Sequence, residues 1–406
     1  MNRDFDLVIV GGGMVGASLA VALAPLALRI ALVEAFAPDS NSQPSYDERC
    51  TAISHGSQVI LDTVGVWAAI APDASPIFSI HVSDQGRPGI ARINASEQGV
   101  PALGYVVPNR SVGKALWNKL GGQANLDCFM PAKVISMTSD ESGVDLGLEQ
   151  DDGSPVALRS RLVVAVDGAR SLTRKLAGIE AEVLDYEQTA IIFNVTPEEA
   201  NLGRAFERFT VNGPLAMLPL GEQRCSVVWT VKRELAQSIL ALDEPLFLAR
   251  LQEQFGYRLG RLLQTGERSS YPLYRVKAMQ QTGHRLLMLG NAAHSLHPVA
   301  GQGFNLSLRD VAALAEVMAT LDGADPGDPA VLARYLEWRQ ADQDKVLEFT
   351  DGLVRLFSNP FAPLRLARSA ALLSFDLTPG VKRLFARHTM GRAGRLPRLA
   401  RGVPLV

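Results

Sequence analysis

The sequence predicts an α/β fold with a three-layer domain, a second domain that carries a mixed sheet, and a helical carboxyl-terminal region. Two observations predict the first domain: a strand, a glycine-rich turn and a helix follow one another at the amino terminus, and the same order recurs at residues 286–319. Strand-like apolar runs between residues 181 and 275 predict the mixed sheet. The 406 residues, 47% of them apolar, suffice for two or three units with sizeable cores.

The composition excludes several classes of protein. The chain has 40 Lys and Arg against 42 Asp and Glu, and a net charge of −2 gives no general attraction to nucleic acid, which we exclude as a main partner. Cys50, Cys128 and Cys225 are odd in number and lack metal-site spacing, so neither a disulfide framework nor a metal site is predicted. They indicate a reducing compartment.

The first element begins within an uncharged stretch, residues 7–28, that is long enough to span a bilayer. Three consecutive glycines and Pro25 would weaken a spanning helix, and Asp4 and Asp6 make a poor signal-peptide start. A strand that begins almost at Met1 leaves no room for an organelle transit peptide. We therefore expect a soluble element and a bacterial cytoplasmic location.

Residues 6–10 predict a buried strand, residues 11–16 (GGGMVG) a turn, and residues 17–24 a helix of small side chains. A second strand follows at 29–33, and Glu34 stands at its end. In a Rossmann-like turn Gly11 permits the tight bend, Gly13 the approach of a pyrophosphate, and Gly16 close helix–strand packing. Glu34 is placed to accept hydrogen bonds from a ribose. The pattern favours dinucleotide binding over a purely structural turn, and leaves NAD or FAD open.

A second glycine-rich segment, residues 286–308, contains no formally charged residue when its histidines are neutral. Its amides, imidazoles and glycines argue against a membrane span. Residues 286–289 predict a strand and residues 303–319 a helix. The loop between them offers backbone amides to a ligand.

Three segments together resemble the FAD-dependent aromatic hydroxylases, flavoprotein monooxygenases of the para-hydroxybenzoate hydroxylase type. They are residues 11–16 with Glu34, residues 166–171 (VDGARS) with Arg174, and residues 290–294 (GNAAH) continuing into 298–303 (PVAGQG). Residues 47–54, 104–110, 204–209 and 213–216 are similar to the ubiquinone-biosynthesis branch of that family, in particular to its 2-polyprenyl-6-methoxyphenol hydroxylase type. The resemblance covers nearly the whole chain.

The resemblance implies a discontinuous FAD-binding domain with a Rossmann-like three-layer core. We expect its parts at residues 1–75, 101–180 and 276–330, the substrate domain at 76–100 and 181–275, and a helical region with a basic tail at 331–406.

The resemblance also implies which residues hold FAD without a covalent bond. Gly11 to Gly16 would hold the pyrophosphate, Glu34 the ribose, and residues 298–306 the isoalloxazine ring. The full set of expected cofactor residues is Gly11, Gly13, Met14, Val15, Gly16, Glu34, Arg49, Arg110, Val134, Asp167, Asn291, Pro298, Gly301, Gly303, Phe304 and Asn305. Many family members carry Asp where this chain has Asn291, whose amide still hydrogen-bonds a hydroxyl but lacks the charge.

The family chemistry implies that NAD(P)H reduces FAD, that O2 then forms a flavin C4a-hydroperoxide, and that this transfers an OH group to an electron-rich phenol carbon. A single complete glycine fingerprint indicates that NAD(P)H visits transiently. The expected substrate is a polyprenylated phenol of ubiquinone biosynthesis. Two alternatives stay open: a hydroxylase of a small soluble aromatic, and a non-catalytic flavin-binding assembly subunit.

His297 and Pro298 are candidate catalytic residues because they lie in the loop expected beside the flavin. His294 and His297 could assist phenol deprotonation, or simply hydrogen-bond the loop. Candidate substrate-pocket residues are apolar side chains of the middle segment, for which ordinary core packing is the alternative: Phe193, Phe206, Phe209, Met217, Leu218 and Trp229. The resemblance also implies that Pro219 lies near the active site.

The carboxyl terminus is strongly basic. Residues 381–406 carry seven Lys or Arg and no Asp or Glu, interleaved with Leu, Phe and Val. This pattern indicates either a solvated tail or a surface that binds anionic lipid or another ubiquinone-biosynthesis protein. Lipid binding would make the enzyme peripheral to the inner face of the cell membrane.

Overall fold

The computed structural model describes residues 3–37, 49–358 and 362–406. Its strands, in chain order, are β1 (Arg3–Val10), β2 (Ile30–Val33), β3 (Cys50–Ser54), β4 (Ser75–Ile77), β5 (Ser79–Asp84), β6 (Ile90–Asn94), β7 (Gly104–Pro108), β8 (Leu126–Phe129), β9 (Ala132–Asp140), β10 (Gly143–Gln150), β11 (Pro155–Ala165), β12 (Ala181–Pro197), β13 (Arg204–Thr210), β14 (Gly213–Leu220), β15 (Arg224–Lys232), β16 (Leu262–Thr265), β17 (Ser269–Ala278), β18 (Thr282–Gly283), β19 (Leu286–Met288) and β20 (His294–Ser295).

The α-helices, in chain order, are α1 (Met14–Leu23), α2 (His55–Thr63), α3 (Trp67–Ile70), α4 (Ala95–Gln98), α5 (Asn109–Leu120), α6 (Leu172–Leu176), α7 (Arg233–Leu240), α8 (Glu244–Phe255), α9 (Gln302–Ala319), α10 (Pro329–Ser358), α11 (Ala362–Asp376) and α12 (Pro379–Thr389). Among the described residues, none of these helices is both long enough and apolar enough to cross a membrane. The uncharged stretch 7–28 forms a strand, a turn and a helix.

The first sheet has the strand order β18-β19-β11-β1-β2-β8, and β9 and β10 continue it from β11 as an antiparallel meander. The pairs β19–β11, β11–β1, β1–β2 and β2–β8 are parallel. Helices α1, α5 and α9 cover one face, where Leu19, Leu116 and Leu314 are fully buried. The meander folds over the other face and buries Leu146 and Leu158 against Val8. The predicted three-layer α/β fold is confirmed.

The second sheet is mixed, with the strand order β20-β17-β12-β15-β14-β13-β5-β6 and β16 paired to β12. Successive side chains along its strands point alternately to two faces, and both faces are buried. Helices α7 and α8 pack on one face around Trp229 and Phe247. Helices α10, α11 and α12 cover the other face. A small sheet of β3, β7 and β4 joins the two larger units.

The basic carboxyl terminus is not a solvated tail, so that alternative is wrong. Leu399 and Leu405 are buried in the core formed by α1, α5 and α9. The backbone around them is also held, since Arg398 N–H donates to Glu316 Oε2 (2.5 Å) and the indole N–H of Trp338 donates to the carbonyl of Arg395 (3.0 Å). Apolar residues interleaved with the cations therefore anchor this segment, which charge counting did not reveal.

Candidate functional site

A cavity of about 1090 Å³ lies where the first sheet, the second sheet and the carboxyl-terminal helices meet. One half is lined by glycine-rich loops and polar side chains. The other half is lined by apolar side chains from the second sheet and from α10, α11 and α12. The site therefore joins a polar cradle to an apolar chamber.

The cradle forms at the carboxyl ends of three neighbouring parallel strands. In register, Val10 of β1 lies beside Ala165 of β11, and Ala165 lies beside Met288 of β19. Each strand is followed at once by one of the three glycine-rich motifs, at Gly11, Val166 and Gly290. Because carboxyl ends of parallel strands share one edge, segments far apart in sequence meet there.

The β1–α1 turn has the geometry of a phosphate cradle. Gly11 has φ +111°, and a Cβ at Gly11 would lie 2.7 Å from the carbonyl oxygen of Val166. A Cβ at Gly16 would lie 1.8 Å from the carbonyl oxygen of Gly11. Among the described residues, no side chain caps the amino terminus of α1 at Gly13, so its N–H groups and its positive dipole end are available to an anion.

Glu34 is buried at the end of β2 and lines the cavity. Its Oε2 accepts a hydrogen bond from Gly12 N–H (2.5 Å), and its Oε1 accepts one from Phe36 N–H (3.0 Å). The carboxylate therefore ties the glycine turn to β2 and also faces the cavity. The first of these roles was not predicted.

Asp167 supplies an unsatisfied acceptor to the cradle. Its Oδ2 accepts from the N–H and the hydroxyl of Thr173 (both 3.0 Å), whereas its Oδ1 is buried and has no hydrogen-bond partner in the structure. Arg174 fixes the surrounding loops, because its guanidinium donates to the carbonyls of Ala292 (2.8 Å) and Ala169 (2.9 Å). A ligand that donates a hydroxyl or N–H fits the free oxygen, and FAD has both in its ribityl chain and ring.

The amino terminus of α9 also faces the cavity. Ala300 and Gly301 have φ +59° and +58°, left-handed values that expose the first N–H groups of the helix. Asn305 holds this turn in place: its amide donates to the carbonyls of Ala52 (2.8 Å) and Gly301 (2.7 Å), and its oxygen accepts from Ser54 N–H (2.8 Å). The Asn305 side chain is thus committed to positioning α9.

The structure brings most of the expected cofactor residues together. Those that line the cavity are Gly11, Gly13, Met14, Val15, Glu34, Arg49, Val134, Asp167, Asn291, Pro298, Gly301, Gly303, Phe304 and Asn305. Gly16 lies beneath the turn, and Arg110 lies exposed on α5 outside the lining. Of the segment 47–54, residues 47 and 48 lie outside the described residues. Asn109, beside Arg110, lines the cavity and was missed, although it belongs to the motif at 104–110.

His297 lines the cavity, but both of its ring nitrogens are engaged. Nδ1 accepts from Val299 N–H (3.2 Å), so Nε2 carries the proton and donates to Gln188 Oε1 (3.2 Å). Burial lowers the pKa of His297 to about 4, against a smaller opposing effect of Asp351. A neutral, fully bonded ring holds the 297–299 loop, which supports the loop-bonding interpretation over proton transfer. Pro298 is exposed beside it and lines the cavity.

His294 lies outside the cavity lining. It is buried on β20 with Nε2 3.3 Å from Asp310 Oδ2, and Asp310 also pairs with Arg339 (2.6 Å). Although burial raises the pKa of Asp310, Arg339 and His294 outweigh it and hold that pKa below its ordinary value. His294 therefore belongs to an ionic cluster between β20, α9 and α10.

Some of the predicted pocket residues line the apolar chamber, namely Phe206, Phe209 and Leu218, and the others do not. Phe193, Met217 and Trp229 pack among α7 and α8 on the far face of the second sheet, and Pro219 does not reach the cavity. Phe206 lines the cavity, although its ring packs edge-on to Phe255 of α8 (5.3 Å). Successive strand residues point to opposite faces, so the neighbours of these positions face the chamber instead. They are Ile192, Ala216 and Val228, beside the predicted Leu218.

Helices α10, α11 and α12 complete the chamber with aromatic side chains that were not predicted to be at the site. Phe385 of α12 packs edge-on to Phe375 of α11 (5.3 Å) and against Phe349 of α10 (5.6 Å), and all three rings line the cavity. The region expected to be a separate helical segment thus forms one wall of the site.

Comparisons with known proteins agree with this geometry. The family described as FAD binding domain matches residues 4–350. The chain is 42% identical to the ubiquinone hydroxylase UbiL of Rhodospirillum rubrum, over 100% of this chain and 94% of that one. It is 31% identical to the 3-demethoxyubiquinol 3-hydroxylase of Escherichia coli, over 96% and 99%. Its fold is similar to that of p-nitrophenol 4-monooxygenase PnpA from Pseudomonas putida, with a TM-score of 0.80, 19% identity, and coverage of 98% and 100%.

Proposed function

Because the chain belongs to the FAD binding domain family, we propose that it is a FAD-dependent monooxygenase. Its proposed reaction is the hydroxylation of a polyprenylated phenol in ubiquinone biosynthesis. NAD(P)H is the transient reductant and O2 the co-substrate. The observation that carries this proposal is the continuity of the polar cradle with the apolar chamber in one cavity. The names of the similar hydroxylases support the substrate class.

Bound FAD would supply the reductive activation of O2. The protein would position the cofactor and the substrate, stabilise negative charge on the cofactor, and exclude water from the site. The amino terminus of α1 would hold the pyrophosphate, and Asp167 Oδ1 would accept a hydrogen bond from the cofactor's polar chain. The amino terminus of α9 would direct its positive dipole end at the ring system and would stabilise negative charge there. Apolar walls from the second sheet and from α10–α12 keep water from the reacting centre.

The chamber accounts for a prenylated substrate. Apolar surface buries a prenyl tail favourably, at about 25 cal/mol per Å² removed from water. The wall formed by Phe349, Phe375 and Phe385 gives such a tail an aromatic lining. A small soluble aromatic would leave much of this surface unfilled, so the prenylated substrate is the better fit.

A membrane-facing surface completes the proposal. Leu377, Val381 and Leu384 are 81%, 50% and 60% exposed, beside the exposed cations Arg383 and Arg387. We define these five residues as the basic apolar patch. Exposed leucines next to cations suit an anionic bilayer surface, and Phe385 of the same helix lines the chamber. Docking by the patch would place the chamber wall against the membrane that holds the substrate, at the inner face of the bacterial membrane.

The proposal is tested by turnover with matched substrates. The purified protein is loaded with FAD and supplied with NAD(P)H, O2 and either a prenylated phenol or the same phenol without its tail. We expect a hydroxylated product, with a higher kcat/KM for the prenylated compound. Equal kcat/KM for both compounds would favour a hydroxylase of small aromatics, and FAD uptake without any product would favour an assembly subunit.

A further inference from the structure

One cross-strand row of the second sheet faces the chamber with a single ionisable side chain. The row runs across β12, β15, β14, β13, β5 and β6, and each member is the register partner of the next. All six members line the cavity: Ile192, Val228, Ala216, Glu207, Val82 and Ala91. A carboxyl group in the middle of an otherwise apolar row is not explained by the fold.

Glu207 also lies between two apolar residues of its own strand. Ala205 and Phe209, two residues away on either side, line the same cavity. Phe209 packs in one cluster with Val299, which belongs to the loop before α9. Glu207 therefore lies two residues from a side chain whose apolar cluster includes the loop before α9, the loop expected beside the cofactor ring.

The carboxyl group has an unmet hydrogen-bonding requirement. Its Oε1 is buried and has no hydrogen-bond partner among the residues that the structure describes. A buried polar atom without a partner is unfavourable, and in native proteins it is usually satisfied by something. Because Glu207 lines an open cavity, a ligand in that cavity is the natural partner.

Burial raises the pKa of Glu207 to about 7. The other ionisable groups along this half of the cavity, among the residues described, are His297 and Arg368. Burial keeps His297 neutral, and Arg368 is a permanent cation that pairs with Asp84 (3.3 Å). On the opposite face of the sheet, Arg208 follows Glu207 in β13, and His81 precedes Val82 in β5.

We propose that Glu207 accepts a hydrogen bond from the phenolic hydroxyl of the substrate and thereby sets which ring carbon faces the cofactor. The inference rests on the proposed function, because it takes a phenol as the ligand. Glu207 is the specificity-determining polar contact of an otherwise apolar chamber. Few, well-placed polar groups in an apolar pocket are the usual means of orienting a ligand.

The test compares binding of a prenylated phenol with binding of its O-methyl ether, which lacks the donor hydrogen. Binding to the oxidised FAD-loaded protein is followed through the flavin absorption spectrum, so no turnover is needed. The wild type should bind the phenol about 10- to 100-fold more tightly than the ether. Glu207→Leu should abolish this preference, and Glu207→Gln should retain part of it, because the amide oxygen still accepts a hydrogen bond.

The pH dependence gives a second readout. A carboxylate accepts hydrogen bonds more strongly than a carboxylic acid, so the preference of the wild type for the phenol should increase as the pH rises through about 7. The preference of Glu207→Gln should not change over the same range, because its amide does not ionise. Glu222→Leu, at an exposed glutamate in the turn between β14 and β15, is the control and should behave as the wild type.

The outcomes separate the two proposals. A wild type that binds both ligands equally, or neither, overturns the role of Glu207, as does a Glu207→Leu variant that keeps the wild-type preference. FAD loading and thermal unfolding check the fold of each variant, and Leu in this apolar row should not lower stability. A wild type that shows the preference but hydroxylates no prenylated phenol contradicts the proposed function and leaves the binding contact established.

Discussion

At the scale of single residues, His297 and Glu207 are titratable side chains of the cavity lining in opposite situations. His297 has a hydrogen-bond partner on each ring nitrogen, and Glu207 has a buried oxygen with none. The hydrogen bonds of His297 stabilise a loop, whereas the unpartnered oxygen of Glu207 can accept a hydrogen bond from a ligand. From the sequence alone, His297 was the candidate for contact with the substrate, because histidine often transfers protons. In the structure, Glu207 is the side chain with a free acceptor for the substrate.

His297→Gln should make folding less sensitive to acid. Because the folded-state pKa of about 4 is below the ordinary 6.5, the unfolded chain binds the proton first, and stability present above pH 6.5 is lost as the pH falls towards 4. Between pH 7.5 and pH 5 this loss amounts to about 2 kcal/mol. Urea unfolding of both proteins at these two pH values measures the difference.

The wild type should lose more stability than the variant over that interval, and other histidines contribute equally to both proteins. FAD should remain bound to the variant. An equal loss of stability in the two proteins would contradict the neutral state assigned to His297.

At the scale of elements, the amino termini of α1 and α9 form the cradle. Each helix has a glycine in or near its first turn, and the two glycines are required for different reasons. Gly16 permits α1 to pack on β1, since a Cβ there would collide with the carbonyl oxygen of Gly11. Gly303, in the first turn of α9, lines the cavity, and a Cβ added there would meet no protein atom within 4 Å. The first glycine serves the fold, and the second leaves room for a ligand.

Gly303→Ala should therefore separate cofactor binding from stability. The methyl group would enter space that the cofactor needs, so FAD affinity should fall. The free energy of unfolding of the apoprotein should rise by about 0.5–1 kcal/mol, because alanine has a higher helix propensity than glycine. FAD titration and thermal unfolding of the apoprotein measure the two effects. Gly352→Ala on α10 is the matched control, because it too meets no protein atom but does not line the cavity. Unchanged FAD affinity in Gly303→Ala would contradict the placement of the cofactor.

Gly16→Ala should instead reduce both stability and FAD content. Overpacking at this helix–strand contact is expected to destabilise the protein by about 2 kcal/mol or more. Thermal unfolding and the flavin spectrum of the purified variant measure the effect. A variant as stable as the wild type would show that α1 can move away from β1 without loss.

The elements also show how far the sequence predicts the site. The three cradle motifs were predictable, because each directly follows a strand and parallel strands align their carboxyl ends. Strand-like apolar runs between residues 181 and 275 predicted the second sheet, but such runs do not say which face meets a ligand when both faces are buried. Phe193 and Met217 were therefore assigned to the chamber, and Ile192 and Ala216 line it.

At the scale of the whole molecule, the carboxyl-terminal helices connect the surface to the site. Phe375 and Phe385 line the chamber from the inside, and Leu377 and Leu384 are exposed on the outside of the same region. Contacts between these helices and a sheet more than a hundred residues earlier in the chain depend on tertiary packing, which no local pattern encodes. The basic composition was visible in the sequence, but its buried anchors, such as Leu399, were not.

Leu377→Glu combined with Leu384→Glu should weaken binding to anionic vesicles roughly tenfold or more, because two exposed apolar side chains of the basic apolar patch are replaced by charges that anionic lipid repels. Sedimentation with vesicles that contain an anionic phospholipid measures the binding. Leu246→Glu is the matched control, since Leu246 is 58% exposed on α8, at the opposite face of the second sheet. Equal vesicle binding by the double variant and the wild type would contradict membrane docking by the patch.

A labelling experiment distinguishes FAD-dependent hydroxylation of a prenylated phenol from the other possible functions. The FAD-loaded protein is incubated with NAD(P)H, a prenylated phenol and isotopically labelled O2, and the product is analysed by mass spectrometry. We expect one labelled oxygen atom on the aromatic ring of the product, dependent on both FAD and the reductant. A protein that takes up no FAD, or a product whose new oxygen comes from water, would contradict it.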